Sequence, residues 1–185
     1  SAAILGARDP EATMGIFTAD HLIEPIETFG AAMGLAYEMA EKHPEYLCTF
    51  GIKPTSPHTG LGYVHRGQPM DKAGTYEVLE FKEKPDLTTA REYVASGEYY
   101  WNSGMFVWKI STILEQLRRH LPQNAERLME LGKNYNQAGW EAMAEEVYPK
   151  LQKISIDFAV MEKAKRVMVV ELDCRWADVG SWPEL

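Results

Sequence analysis

Apolar residues recur along this chain with two different periods, and the two alternate. From Ile26 to Lys42, Ile26, Phe29, Met33, Tyr37 and Ala40 follow a helical spacing that His43-Pro44 stops. This is the clearest predicted helix. Shorter apolar runs predict buried strands at Thr13–Ala19, Tyr46–Ile52, Gly62–Arg66, Tyr76–Phe81, Met105–Ile110 and Val167–Leu172. Between them, Ser1–Arg8 reads as the end of a helix closed by Asp9-Pro10, and Thr88–Ser96 as a short helix ending at Gly97. Ser111 is the expected cap of a helix over Thr112–His120, which Pro122 stops. A polar helical region follows from Asn124 to Tyr148, and a last helix is expected over Asp157–Lys165. Lys53–Gly60, with Pro54, Pro57 and Gly60, is a loop. Helices alternating with strands predict an α/β sheet covered on both faces.

Composition narrows the picture. At 185 residues, with 45% hydrophobic and 25% charged positions, the chain is one globular domain or a piece of one. Disordered, collagenous and disulfide-stapled classes are excluded. The net charge of −8 and the lack of a basic stretch argue against a nucleic-acid surface. A small anionic substrate remains compatible, because a local lysine with backbone N–H groups can hold it. Cys48 and Cys174 have no metal-ligand spacing and read as reduced core residues of a cytoplasmic protein. No apolar run approaches the roughly 18 residues of a membrane span.

Ligands of open α/β sheets gather beyond the carboxyl ends of strands. Asp20 and His21 follow the first predicted strand. Lys82, Glu83, Lys84 and Pro85 follow YEVLEF, Trp101-Asn102-Ser103-Gly104 enters the strand at Met105, and Asp178 to Trp182 follow VMVVEL. Taken singly, each has an ordinary structural reading. Asp20 is then a helix cap, Lys82–Lys84 a solvated charge run, and Asn102–Gly104 and Asp178–Gly180 are turns. Tyr99, Tyr100 and Trp101 read as core. The five histidines show no metal spacing and receive no catalytic role.

Taken together, KPTSPHTGLGYV, FKEKPD, YYWNSGMFVW, SIDFAVMEK and RWADVGSW occur in that order. This set closely resembles the mannose-1-phosphate guanylyltransferase family of sugar nucleotidyltransferases, from Thr18 to Leu185. The resemblance implies a Rossmann-like, GT-A-like mixed sheet flanked by helices. It implies transfer of GMP from GTP to mannose 1-phosphate with release of pyrophosphate, assisted by Mg²⁺. By the family's pattern Asp20 and Asp178 hold the metal, and Lys84 contacts the sugar phosphate. Asp20, Lys84 and Asp178 are thus the catalytic set. Glu83 and Asn102 would bind sugar hydroxyls, Gly62 would let the backbone approach the sugar, and Tyr63 would follow it. Asp157 would support the site, cap its helix, or both.

The family's glycine-rich segment, GGxGxRLxPxS, which cradles the nucleotide phosphates, does not occur between Ser1 and Leu185. Residues 1–185 therefore read as part of a catalytic domain, lacking its amino-terminal loop and carboxyl-terminal region. A shortened piece of an active enzyme is the expectation, with a naturally short relative as the competing one. Such a piece would associate with itself or with the portion carrying the loop. Phe158 stands where the family commonly has Tyr, and Phe17-Thr18 where Leu-Pro is more frequent. Two other readings stay open: a non-catalytic sugar-phosphate-binding or regulatory module on the same scaffold, and a related hexose-1-phosphate nucleotidyltransferase.

Overall fold

The computed structural model describes residues 1–179. The chain begins with α1 (Ala2–Arg8), β1 (Thr13–Ile16), β2 (His21–Glu24) and the long α2 (Ile26–Lys42). Then come β3 (Leu47–Ile52), β4 (Tyr63–Pro69), β5 (Thr75–Lys82), α3 (Leu87–Ser96) and the longest strand, β6 (Tyr99–Lys109). Helices α4 (Ile110–His120), α5 (Pro122–Lys133) and α6 (Trp140–Val147) precede a single π-turn at Asp157–Met161. Strands β7 (Val167–Glu171) and β8 (Arg175–Asp178) complete the described chain.

Six strands form a mixed sheet in the order β1-β6-β3-β7-β5-β4, in which only β3 and β7 run parallel. All six residues of β3 are buried, which explains its unbroken apolar run. In β7 the two-residue period sorts the side chains. Met168 and Val170 join one core with Ala36, Met39 and Ala40 of α2. Val167 and Val169 join the other with Ile110 and Ile113 of α4 and with Ala159, Val160 and Met161 of the π-turn. The sheet is thus covered on both faces, as the alternation of elements predicts. It also curls: β4 pairs with β5 and with the first half of β6, where Tyr63 lies opposite Trp101. Among the described residues, β1 has a strand partner on one side only.

Helix α2 spans the predicted residues. Helix α3 starts at the Asp86 cap, whose carboxylate accepts the Thr89 N–H at 2.9 Å, and ends at Gly97, whose φ of +69° is costly for other residues. Elsewhere the structure departs from expectation. Ser111 is not a cap, because β6 runs straight into α4 and the Ile110 N–H is satisfied by the Ala12 carbonyl at 3.0 Å. The region Asn124–Tyr148 divides between α5 and α6. The helix expected over Asp157–Lys165 is a π-turn closed by the Glu162 N–H on the Asp157 carbonyl at 3.0 Å. Residues Asn102–Gly104 lie inside β6 rather than in a turn. Finally, β2 and β8, absent from the expectation, pair antiparallel as a separate two-stranded ribbon.

Candidate active site

The ribbon creates one wall of the site. Its register sets His21 opposite Asp178, and the Val179 N–H donates to the Asp20 carbonyl at 3.2 Å. A ladder of only four residue pairs thereby joins two segments far apart in sequence. One ligand-type atom each from Asp20, His21 and Asp178 falls within 4.8 Å of the others. The Trp176 indole N–H donates to His21 Nδ1 at 3.2 Å. The neutral imidazole therefore carries its proton on Nε2, which stands 3.8 Å from Asp178 Oδ1. Burial lowers the His21 pKa, against the opposing charges of Asp178 and Asp20, which favours that neutral ring. The ring thus presents an N–H to Asp178, not a lone pair to a metal. What remains for a cation is two carboxylates, a hard-oxygen set that fits Mg²⁺ better than Zn²⁺.

The opposite wall comes from the sheet. A cleft of about 190 Å³ is lined by Gly62, Glu83, Lys84, Asn102 and Asp157, and by His21, Trp176 and Asp178 of the ribbon. Asn102 is held on β6 by the buried Thr49 hydroxyl, which donates to its Oδ1 at 2.8 Å. This orients the amide, so that Nδ2 donates to Asp157 Oδ1 at 3.1 Å and keeps a second N–H for a ligand. The Asn102 backbone N–H donates to the Gly62 carbonyl at 2.8 Å and fixes the loop entering β4. Lys84 Nζ lies 3.5 Å from Glu83 Oε1; the lysine side chain is 58% exposed and the glutamate 9%.

Two carboxyls largely withdrawn from water, Asp157 and Glu83, face this cleft. Desolvation raises the Asp157 pKa, partly countered by its own backbone N–H, Asn102 and Lys84. Desolvation also raises that of Glu83, reinforced by the charge of Asp157 and countered by Lys84. A group whose pKa is raised on folding contributes stability at low pH and loses it as pH rises through the folded value. At neutral pH the ionised Asp157 is therefore a net cost. Asp157→Asn, whose amide oxygen still accepts from Asn102, is expected to raise stability at pH 7 by up to about 1 kcal/mol. The gain should shrink on acidification through the carboxylate range. Urea melts at a series of pH values check the sign.

Gly62 is required by close approach. A Cβ there would sit 2.5 Å from Glu83 Oε2 and 3.3 Å from Asn102 Cβ. Gly62→Ala is expected to push the Glu83 carboxylate aside at a stability cost of about 1 kcal/mol. Thermal melts of the variant against wild type check this cost.

The fold thus brings together Gly62, Glu83, Lys84, Asn102, Asp157 and Asp178 in the cleft, with Asp20 beside its ribbon wall. The Tyr63 side chain is a correction. It is fully buried, and its hydroxyl donates to the His58 carbonyl at 3.0 Å, so only its backbone is near the cleft. Asp157 is not a helix cap, since Ile156 holds that place. His21 and Trp176 are additions; local histidine spacing could not reveal a cluster whose other members lie far along the chain. Thr49 is a further addition, hidden in an apolar strand. Gly180, Ser181 and Trp182 of the RWADVGSW motif lie outside the described residues.

Among the described residues, no helix is long and apolar enough to cross a membrane. The chain is 40% identical over 183 residues to the mannose-1-phosphate guanylyltransferase of Escherichia coli K12, covering 93% of this chain and 36% of that protein. It is 44% identical over 173 residues to the xanthan biosynthesis protein XanB of Xanthomonas campestris pv. campestris, covering 92% and 36%. The chain thus spans just over a third of the length of these curated relatives. A crystal structure from Thermus thermophilus, described as a mannose-1-phosphate geranyltransferase, superposes with a TM-score of 0.82 at 35% identity, over 98% of this chain and 50% of that one. One from Helicobacter pylori, described as a mannose-6-phosphate isomerase, gives 0.78 at 29% identity, over 95% and 68%. Residues 1–185 match the family described as Nucleotidyl transferase, and with this sheet and cleft the chain belongs to that family.

Proposed function

We propose that this chain carries the sugar-phosphate and metal-binding side of the active site of a mannose-1-phosphate guanylyltransferase. The reaction joins GTP and mannose 1-phosphate into GDP-mannose and pyrophosphate. The observation that carries this reading is the convergence of six separated segments on one small cleft. That cleft has a lysine, an oriented amide and two carboxylates on one wall and a paired-aspartate ribbon on the other.

In the proposed reaction an oxygen of the sugar phosphate attacks the α-phosphorus of GTP. The bond from that phosphorus to the bridging oxygen of the β-phosphate breaks in line, and pyrophosphate leaves with the electron pair. Lys84 neutralises the sugar phosphate as a compact point charge. Glu83 and Asp157 accept hydrogen bonds from sugar hydroxyls, and the free Asn102 N–H donates to one. Asp20 and Asp178 would hold Mg²⁺, which when bound supplies charge neutralisation at the meeting phosphates. The His21 ring, held by Trp176, faces Asp178 across 3.8 Å. No protein nucleophile is required, since positioning and charge neutralisation carry the rate. Two free cysteines, Cys48 buried, support a cytoplasmic assignment.

The test is pyrophosphate release by the protein expressed from its complete reading frame, with GTP, mannose 1-phosphate and Mg²⁺. Turnover with these substrates is expected. Its absence, with turnover on glucose 1-phosphate and another nucleoside triphosphate, would reassign the substrate within the family.

A further inference from the structure

We propose that Glu162 is a positioning residue that aims the Glu83-Lys84 bend into the cleft; this rests on the reading of the cleft as a sugar-phosphate site. The need for such a residue follows from the way β5 ends. Strand β7 accompanies β5 only along Thr75–Glu77, opposite Val170–Met168. Beyond that point β5 keeps β4 on one side, as far as Lys82 opposite Tyr63. The side that β7 has left is where the π-turn ends, and there Glu162 Oε1 accepts the Glu83 N–H at 3.0 Å. A side-chain carboxylate thus takes the place of a strand carbonyl at the last residue before the bend.

The bend itself is strained. Lys84 has φ +48°, in the left-handed region, directly before Pro85, although a residue preceding proline disfavours helical conformations. Such a backbone persists only where both flanks are fixed. On the far flank Pro85 is buried and Asp86 is tied to α3 through its cap. On the near flank the Glu162 bond supplies the anchor. The same π-turn carries Asp157 at its start, and the Glu162 N–H closes it on the Asp157 carbonyl at 3.0 Å. One turn therefore sets both a carboxyl facing the sugar and the aim of the lysine on the same wall.

The acceptor is what matters here, not the charge. The Glu162 carboxylate repels Glu83 rather than helping it. Glutamine keeps the acceptor and drops the repulsion; alanine loses the acceptor. In the protein expressed from its complete reading frame, Glu162→Ala is expected to raise KM for mannose 1-phosphate roughly tenfold. Its kcat and its KM for GTP should stay within about twofold, and Glu162→Gln should match wild type on all three within about twofold. Hydrogen exchange at the Glu83 amide should accelerate about tenfold in Glu162→Ala and stay slow in Glu162→Gln.

Wild-type KM in Glu162→Ala would overturn the inference. So would equal losses in the alanine and glutamine variants, or a KM for GTP that rises in parallel. If wild type turns over mannose 1-phosphate and Glu162→Ala behaves identically, this inference alone fails. If wild type does not use mannose 1-phosphate, the functional reading fails and takes the inference with it.

Discussion

Asp178→Asn is expected to lower turnover about 10²- to 10³-fold in the protein expressed from its complete reading frame. KM for mannose 1-phosphate should change less than about threefold. The substitution keeps the shape of the side chain at its place on β8, opposite His21, so the ribbon and the His21–Trp176 bond survive. What it removes is one of the two negative oxygen donors that converge at the cleft. Because the lost interaction is strongest as charge builds on the transferring phosphoryl group, the effect falls on kcat. Raising Mg²⁺ should recover part of the rate. Near-wild-type turnover at low Mg²⁺ would remove Asp178 from the metal site.

Lys84→Ala is expected to act on the other parameter, raising KM for mannose 1-phosphate roughly ten- to a hundredfold with a smaller fall in kcat. The ammonium is exposed apart from its contact with Glu83, so its attraction for a dianionic phosphate is screened by salt. The wild-type KM should therefore climb with ionic strength and the variant's should hardly move. Lys84→Arg should restore only part of the affinity, because a planar fork on a longer stem cannot occupy the place of a compact charge. A KM unaffected by Lys84→Ala would move the phosphate elsewhere in the cleft.

Much of the fold is legible wherever a segment is long and strongly patterned. The helical period of Ile26–Lys42 coincides with α2, and the apolar runs of Tyr46–Ile52 and Val167–Leu172 match the central strands β3 and β7 to within one residue. Short elements whose order depends on a distant partner are not legible. HLIE and RWAD have four residues each, and nothing within either segment marks it as a strand; they exist because they pair with each other across nearly the whole described chain. Likewise Asn102-Ser103-Gly104 carries a turn-like composition but sits within β6, where Gly51 of β3 lies opposite Asn102 and the Gly62 carbonyl accepts the Asn102 N–H.

The site follows the same division. The convergence of Asp20 with Asp178 is implied beforehand by family resemblance alone, since no local spacing connects them. Its physical cause is the ribbon register. His21 escapes a search for neighbouring ligands for that reason. Thr49 escapes because a threonine in an apolar strand looks like any β-branched core residue, although its hydroxyl decides which way the Asn102 amide faces. Tyr63 errs in the other direction: its neighbour Gly62 lines the cleft, but alternation along β4 turns the tyrosine into the core.

The central claim is that two aspartates, joined by a four-pair ribbon, hold one divalent ion beside a sugar-phosphate cleft. Its most direct test is a Mn²⁺ titration followed by electron paramagnetic resonance, on wild type, Asp20→Asn and Asp178→Asn expressed from the complete reading frame. One bound ion per chain is predicted for wild type, weakened at least roughly tenfold in each variant. Unchanged Mn²⁺ affinity in either variant would contradict the account.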